Sequence, residues 1–203
     1  MEFSKWCVRR GNGNRLTLLE PYSPDLRYTL YGRVLEAIRL ATAPFDYLEL
    51  GVYQGESLRW RAKQAQHPDS KLVGFDCFTG LPSAWEDKPG GIFSTGRKPP
   101  EIRDVRCSFR VGMFSDTLPP FMLSFDAKRQ TIVHMDADIY TSTLFVLITI
   151  APKLKPGDLL LVDEFCTPAH EFKAFREFAS RMNLRHRLVG AVNRFTQVCL
   201  QII

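Results

Sequence analysis

Tyr47-Leu48-Glu49-Leu50-Gly51-Val52-Tyr53-Gln54-Gly55-Glu56-Ser57 is the stretch whose reading decides the fold. It closes an apolar run, Phe45–Leu50, that reads as a strand, turns at Gly51, meets a second glycine at Gly55 and opens at once into a helical stretch, Glu56–Gln66. Glycine allows close backbone approach, and a helix start offers unpaired N–H groups to a carboxylate or phosphate. A tight turn that meets no ligand is the plainer alternative for two glycines at such a junction.

Working outward, the same alternation continues. Leu72–Phe75, Phe109–Val111, Thr131–Met135 and Leu159–Val162 read as further short strands, and Thr141–Ala151 and Ala169–Met182 as helices between them. Ahead of the turn, Ser23-Pro24-Asp25 is a helix start followed by Leu26, Leu30, Val34, Leu35 and Ile38 at helical spacing. Phe172, Phe175 and Phe178 recur every third residue, a core-facing stripe. Strands alternating with helices imply a doubly wound, mainly parallel α/β sheet covered on both faces. The tail departs from this pattern. Leu188–Val192 and Phe195–Ile203 are β-rich runs joined by Asn193-Arg194, an antiparallel hairpin signal.

At 203 residues the chain is long enough for one domain. Residues 1–22 read as an N-terminal arm, loose over the first fifteen or so around Gly11-Asn12-Gly13-Asn14, and residues 23–203 as the single α/β domain. Residues 77–104 carry four prolines and no periodicity, which in a compact domain points to a lid or substrate loop. The net charge of +5 is spread along the chain. The densest basic group, Arg181, Arg185, His186 and Arg187, lacks interleaved aromatics and reads as a solvated helix end, so no nucleic-acid partner is expected. Leu144–Ala151 is the longest apolar stretch and is too short to span a bilayer. The start, Met1-Glu2-Phe3-Ser4-Lys5-Trp6, has no signal-peptide core, and five cysteines form no CxxC pair, which together suggest a reduced, cytoplasmic setting.

Acids at three strand ends could carry chemistry. Asp76 ends a strand 25 residues after Gly51, where an acid can accept the hydroxyls of a bound ribose. His134-Met135-Asp136-Ala137-Asp138 and, 25 residues beyond Asp138, Asp163-Glu164 end two further strands. Carboxylates gathered at one rim repel unless protons or a cation intervene, and oxygen ligands suit Mg²⁺; helix capping is the alternative for Asp138 and Asp163. His134 shares a strand face with Asp136 and reads as a base, a partner of the acids, or a core histidine. His170 reads as structural, and no cysteine has an activating base beside it.

Glu49-x-Gly51-x-x-x-Gly55, Gly74-Phe75-Asp76-x-Phe78-x-Gly80-Leu81-Pro82, His134-x-Asp136-x-Asp138-x-Tyr140-x-Ser142-Thr143 and Lys155-Pro156-Gly157-Asp158 with Asp163-Glu164-Phe165 resemble the macrocin O-methyltransferase family, within the class I S-adenosylmethionine-dependent methyltransferases. The resemblance runs in order from about residue 45 to 198. It implies a seven-stranded Rossmann-like sheet with an antiparallel last strand, and O-methylation of a sugar or glycosylated natural product. The resemblance puts the methionine part of S-adenosylmethionine at Glu49, Gly51, Tyr53, Gly55 and Ser57, the ribose at Asp76, and the adenine at Gly112, Met113, Phe114 and Ser115. It implies Mg²⁺ at Asp136, Asp163 and Glu164, with Asp136 also bordering the cofactor, and Asp138 or His134 as the base. The partner implied is a small hydroxylated acceptor, with no membrane, and a homo-oligomer stays open. Three alternatives remain at this point: a nicotinamide oxidoreductase, disfavoured because Gly51 and Gly55 do not make GxGxxG; a non-catalytic cofactor-binding partner protein; and a hydroxylase-associated relative of the same fold.

Overall fold

The computed structural model of the chain describes residues 2–11, 17, 21–37, 40 and 42–203. Its strands are β1 (Phe45–Leu50), β2 (Lys71–Asp76), β3 (Cys107–Val111), β4 (Gln130–Met135), β5 (Leu159–Val162), β6 (His186–Val192) and β7 (Gln197–Ile202). Its helices are α1 (Glu2–Gly11), α2 (Pro24–Ala37), α3 (Glu56–Gln64), α4 (Phe114–Ser124), α5 (Tyr140–Ile150) and α6 (Glu171–Arg181). The strands form one seven-stranded sheet in the order β3-β2-β1-β4-β5-β7-β6. β1 to β5 pair in parallel, and β7 is antiparallel to both its neighbours. This is the doubly wound sheet that the alternating pattern predicts.

Every residue of β1 and β5 is buried, as expected where helices cover both faces. Side chains alternate between two cores. Leu48, Leu50, Val133 and Leu160 belong to a core that includes α4, α5 and α6, whose Phe172, Phe175 and Phe178 are all buried in it. Phe45, Tyr47, Ile132, Leu159 and Leu161 belong to the opposite core, under α2 and α3. Glu49 and His134, paired in register across β1 and β4, share the faces of Tyr47 and Ile132, so these polar groups lie on the α2 side.

Chain order leaves β1 for β2 on one side and returns through β4 on the other, which opens a crevice at their carboxyl ends, the usual ligand position in such sheets. Single bonds continue the ladder past each strand end: Gly51 N–H to the Phe75 carbonyl at 3.0 Å, Asp136 N–H to Leu50 at 3.0 Å, Asp163 N–H to Met135 at 2.9 Å and Gly112 N–H to Asp76 at 3.0 Å. They hold the turns after β1 to β5 along one rim.

One expectation needs correction, and one element had no reading from the sequence. The first residues are not a loose arm: α1 spans Glu2–Gly11, with Phe3 and Trp6 packed on Phe165 and Phe172 and Trp6 also on Phe195. Asn12, Gly13, Asn14 and Ile38 lie outside the described residues. α4 had no sequence signal of its own because Pro119 and Pro120 stand inside it, each removing a backbone donor; Leu118 and Met122 bury its inner face regardless. Among the described residues no helix is long and apolar enough to cross a membrane.

Candidate active site

A cavity of about 390 Å³ opens at the crevice, within the size range of small-molecule sites. The turn after β1 (Gly51, Val52, Tyr53), Asp76, the start of α4 (Gly112, Met113, Phe114) and the acids Asp136, Asp138, Asp163 and Glu164 all line it. Of the remaining expected residues, Ser57 also lines it. Glu49, Gly55, His134 and Ser115 are not in its walls, each for a local reason.

Glu49 is fully buried behind the turn, accepting hydrogen bonds from Tyr47 Oη at 2.6 Å and Ser57 Oγ at 2.7 Å. Gly55 adopts φ +73°, and a Cβ there would stand 2.6 Å from Pro100 Cγ; the glycine admits residues 77–104 against α3 rather than a ligand. Gly51, at φ +98°, similarly lets the β1 turn close on the β4 turn, since a Cβ would fall 1.9 Å from the Asp136 carbonyl oxygen. Ser115 is exposed and hydrogen-bonds Asp116.

Asp76 ties the glycine turn to β2. Its Oδ2 accepts from the N–H groups of Val52 at 2.8 Å and Tyr53 at 2.9 Å, and its Oδ1 from Phe78 N–H at 2.7 Å. An ionised carboxylate offers about four acceptor positions, so one remains for a ligand hydroxyl. With half-exposed Met113 and Phe114 beside it, this end of the cavity combines a hydroxyl acceptor with apolar walls, a set that fits a nucleoside.

His134 is fully buried and cannot touch an acceptor, which corrects its candidacy as a base. Tyr47 Oη lies 2.6 Å from its Nδ1 and Tyr31 Oη 3.0 Å from its Nε2. The same two hydroxyls donate to Glu49 and, at 2.8 Å, to Asp163 Oδ1. With both hydroxyl protons given to carboxylates, the ring must donate from both nitrogens. Burial alone would lower the imidazole's pKa, but Asp163 and Glu49 outweigh it and raise it.

The acids differ sharply in environment. Burial pushes Asp138 up to about 7, reinforced by Glu164 and Asp163. Burial and then Asp163 push Glu164 up to about 7 as well. Asp136 rises well above the carboxylate range through burial and the nearby Asp163, Asp138 and Glu171. Asp163 goes the other way: burial opposes it, but His134, the Arg27 guanidinium and Tyr31 hold its pKa below the usual value. Asp138 also sits at φ +59°, a left-handed turn uncommon for non-glycine residues.

The expected Asp136–Asp163–Glu164 chelate does not match this geometry. Arg27 Nη1 stands 3.3 Å from Asp163 Oδ2, and Tyr31 takes the other oxygen. Among the described residues no three of these side chains converge as ligands for one ion. A divalent ion about 4 Å from the guanidinium would meet a repulsion of about 8 kcal/mol at an effective dielectric near 20.

Residues 77–104 form one wall of the cavity through Cys77, Gly80, Leu81, Pro82, Trp85, Lys88 and Phe93. Fully buried Phe78 anchors the segment, its carbonyl accepting from Thr95 and Arg97 N–H at 3.1 and 2.9 Å.

A model of the methyltransferase domain matches residues 48–165, more than half of the chain. The chain belongs to the methyltransferase-domain family. Among curated members, this methyltransferase-domain chain is 27% identical over 171 residues to mycinamicin III 3''-O-methyltransferase of Micromonospora griseorubida, covering 72% of this chain and 65% of that one. It is 25% identical over 158 residues to an 8-demethyl-8-(2,3-dimethoxy-alpha-L-rhamnosyl)-tetracenomycin-C 4'-O-methyltransferase of Streptomyces olivaceus, covering 66% and 58%. The chain thus spans 58–65% of the length of these relatives. In fold it is similar to the calicheamicin methyltransferase CalS11, with a TM-score of 0.68 at 21% identity over 98% of this chain and 90% of that one.

Four residues that build this site escaped the sequence reading: Arg27, Tyr31, Tyr47 and Glu171. Arg27 and Tyr31 lie four apart on α2, a polar pair beside the apolar stripe of Leu26, Leu30 and Val34, and that spacing was the available signal. Glu171 is fully buried at the start of α6, accepting from the N–H groups of Ala137 at 3.1 Å, Asp138 at 3.2 Å and Glu164 at 3.0 Å. One side chain therefore clamps both acid-bearing turns.

Proposed function

We propose that the protein is an S-adenosylmethionine-dependent O-methyltransferase acting on a hydroxyl of a sugar or glycosylated natural product, close to the macrocin O-methyltransferases. The observation that carries this reading is the cavity itself: a nucleoside-compatible end at Asp76, Met113 and Phe114 faces, across the β1 turn, a carboxyl at Asp138 whose pKa is about 7. When bound, the sulfonium donor supplies the methyl group. Asp76 would accept from the ribose, and the Gly51–Tyr53 turn and Ser57, which line the cavity, would hold the methionine side. Glu49 supports that turn from behind through Ser57.

Asp138 would receive the acceptor's hydroxyl proton as its oxygen bonds the methyl carbon and the carbon–sulfur bond breaks, the donor leaving as its neutral thioether. A base with a pKa near the working pH combines availability with driving force. Trp85, Phe93 and Lys88 line the cavity from the 77–104 segment, where they would limit access of water to the reacting oxygen. Holding donor and acceptor in line contributes about 7–11 kcal/mol in well-oriented systems. The Mg²⁺ assistance implied by the resemblance is not carried into this mechanism, because Arg27 and Tyr31 already engage Asp163.

The names of the relatives favour a sugar hydroxyl over a catechol-like diol as acceptor. The test is calorimetric titration with S-adenosylmethionine and with nicotinamide cofactors, followed by mass spectrometry of glycosylated macrolides, anthracycline-type glycosides and nucleotide sugars incubated with enzyme and donor. Saturable binding of S-adenosylmethionine and a mass gain of one methylene are expected. Binding without transfer to any acceptor class would favour the non-catalytic partner reading, and added oxygen instead of methylene the hydroxylase-associated one.

A further inference from the structure

Asp136, Asp138, Asp163 and Glu164 bring up to four negative charges to one cavity wall. Two cations from outside the strand ends meet them. Arg27 reaches in from α2, three quarters covered, with Nη1 on Asp163 Oδ2 at 3.3 Å. Lys88 reaches in from the 77–104 segment; its ammonium stands 4.2 Å over the Trp85 ring, and its charge acts on both Asp138 and Glu164. Arg27 in turn feels Asp136 as well as Asp163.

Its placement is built, not incidental. The Asn193 side chain accepts from Ser23 N–H at 2.9 Å and donates to the Ser23 carbonyl at 3.0 Å, so the β6–β7 turn fixes the start of α2. One turn along, Tyr31 fastens the same helix to Asp163 at 2.8 Å. The guanidinium therefore enters the cavity from a helix pinned on both sides. Its Nε is buried without a partner, and Arg27 lines the cavity with its Nη1 on Asp163. A planar donor fork of this kind orients a pair of neighbouring oxygens as a metal template would.

We propose that Arg27 is the resident cation of this site: it takes the place of a divalent ion at Asp163, and with Asp138 it orients the acceptor's hydroxyl. The inference rests on the methyl-transfer reading only for the acceptor. The cation's identity is tested without donor or acceptor present.

Wild-type protein, Arg27→Met and Arg27→Lys are titrated with MgCl₂ and MnCl₂ by calorimetry and followed by thermal unfolding with and without EDTA. Wild type and Arg27→Lys should show no saturable divalent-ion binding below about 1 mM, and a melting temperature that EDTA does not change. Arg27→Met should gain ion binding at the uncovered acids and melt higher with Mg²⁺. Saturable submillimolar Mg²⁺ binding to the wild type overturns the proposal, whether or not Arg27→Met folds. In turnover assays, Arg27→Met should raise KM for the acceptor at least tenfold while S-adenosylmethionine affinity holds, and wild-type turnover should survive EDTA. Loss of turnover in EDTA would also overturn it, whereas absence of turnover under every condition would count against the methyl-transfer reading and leave the binding result to decide the cation.

Discussion

The Asp138 carboxyl is held in a left-handed turn at φ +59°, and its backbone N–H is given to Glu171. A non-glycine residue there costs on the order of 1–2 kcal/mol, a cost that the surrounding clamp must offset. The turn aims the carboxyl into the cavity, and burial among other acids sets its pKa near 7. Asp138→Asn keeps the shape and removes the proposed base; kcat is expected to fall about 10²–10⁴-fold, with S-adenosylmethionine affinity unchanged by calorimetry. An undiminished kcat would place the base elsewhere. Glu171→Gln tests the clamp. The amide can still accept from Ala137 and Asp138, but its NH₂ would face the Glu164 N–H, so stability should drop by about 1–3 kcal/mol in urea unfolding with the m-value unchanged. At this scale the sequence revealed the acids but left the place of two of their neighbours unresolved. His134 and Glu49 were visible as polar residues on strands, yet their burial depends on Tyr31 and Tyr47 closing over them, and Tyr31 comes from a helix 103 residues before His134. Arg27 was silent for the same reason, 136 residues from the carboxylate that it meets.

Elements were legible where period and punctuation agreed. β1 and β5 begin and end where their apolar runs do, because both are buried on both faces; the buried Glu49 of β1 is accommodated by hydrogen bonds from Tyr47 and Ser57. α4 was hidden by two prolines, and α1 by a stretch whose apolar residues, Phe3 and Trp6, make sense only against Phe165 and Phe172 from the far end of the chain. The 77–104 segment was recognisable by its composition, but its attachment was not: Gly55 looked like a ligand contact and is the seat of Pro100. Gly55→Ala should therefore act on that segment. A methyl group 2.6 Å from Pro100 Cγ, at φ +73°, forces the segment off α3. Faster hydrogen exchange across residues 77–104 and a raised KM for the acceptor are expected, with exchange in β1 and β4 unchanged. Uniform acceleration across the sheet would instead show that the substitution loosens the whole domain.

Across the molecule, the acid wall links stability to the chemistry that it serves. Asp138 and Glu164, each raised to about 7 in the folded protein, still hold protons where the unfolded chain, with carboxyl pKa values near 4, has released them. Their contribution to stability is thus fully present below about pH 4 and is lost as pH rises through about 7, at up to about 1.4 kcal/mol per pH unit for each group. Asp163 has the opposite sign. Held below its usual pKa, it stabilises the fold at neutral pH and loses that contribution as pH falls below about 4. Thermal stability should therefore peak in mildly acidic solution and decline from pH 5 to pH 8, the interval over which Asp138 ionises and becomes competent as a base. Asp138→Asn removes one of these titrations, so its melting temperature should decline more shallowly across that interval at fixed ionic strength, while wild-type kcat/KM rises through the same range. Parallel slopes for the two proteins would mean that Asp138 titrates in the folded state as it does in the unfolded chain, and the coupling between the fold and its proposed base would be gone.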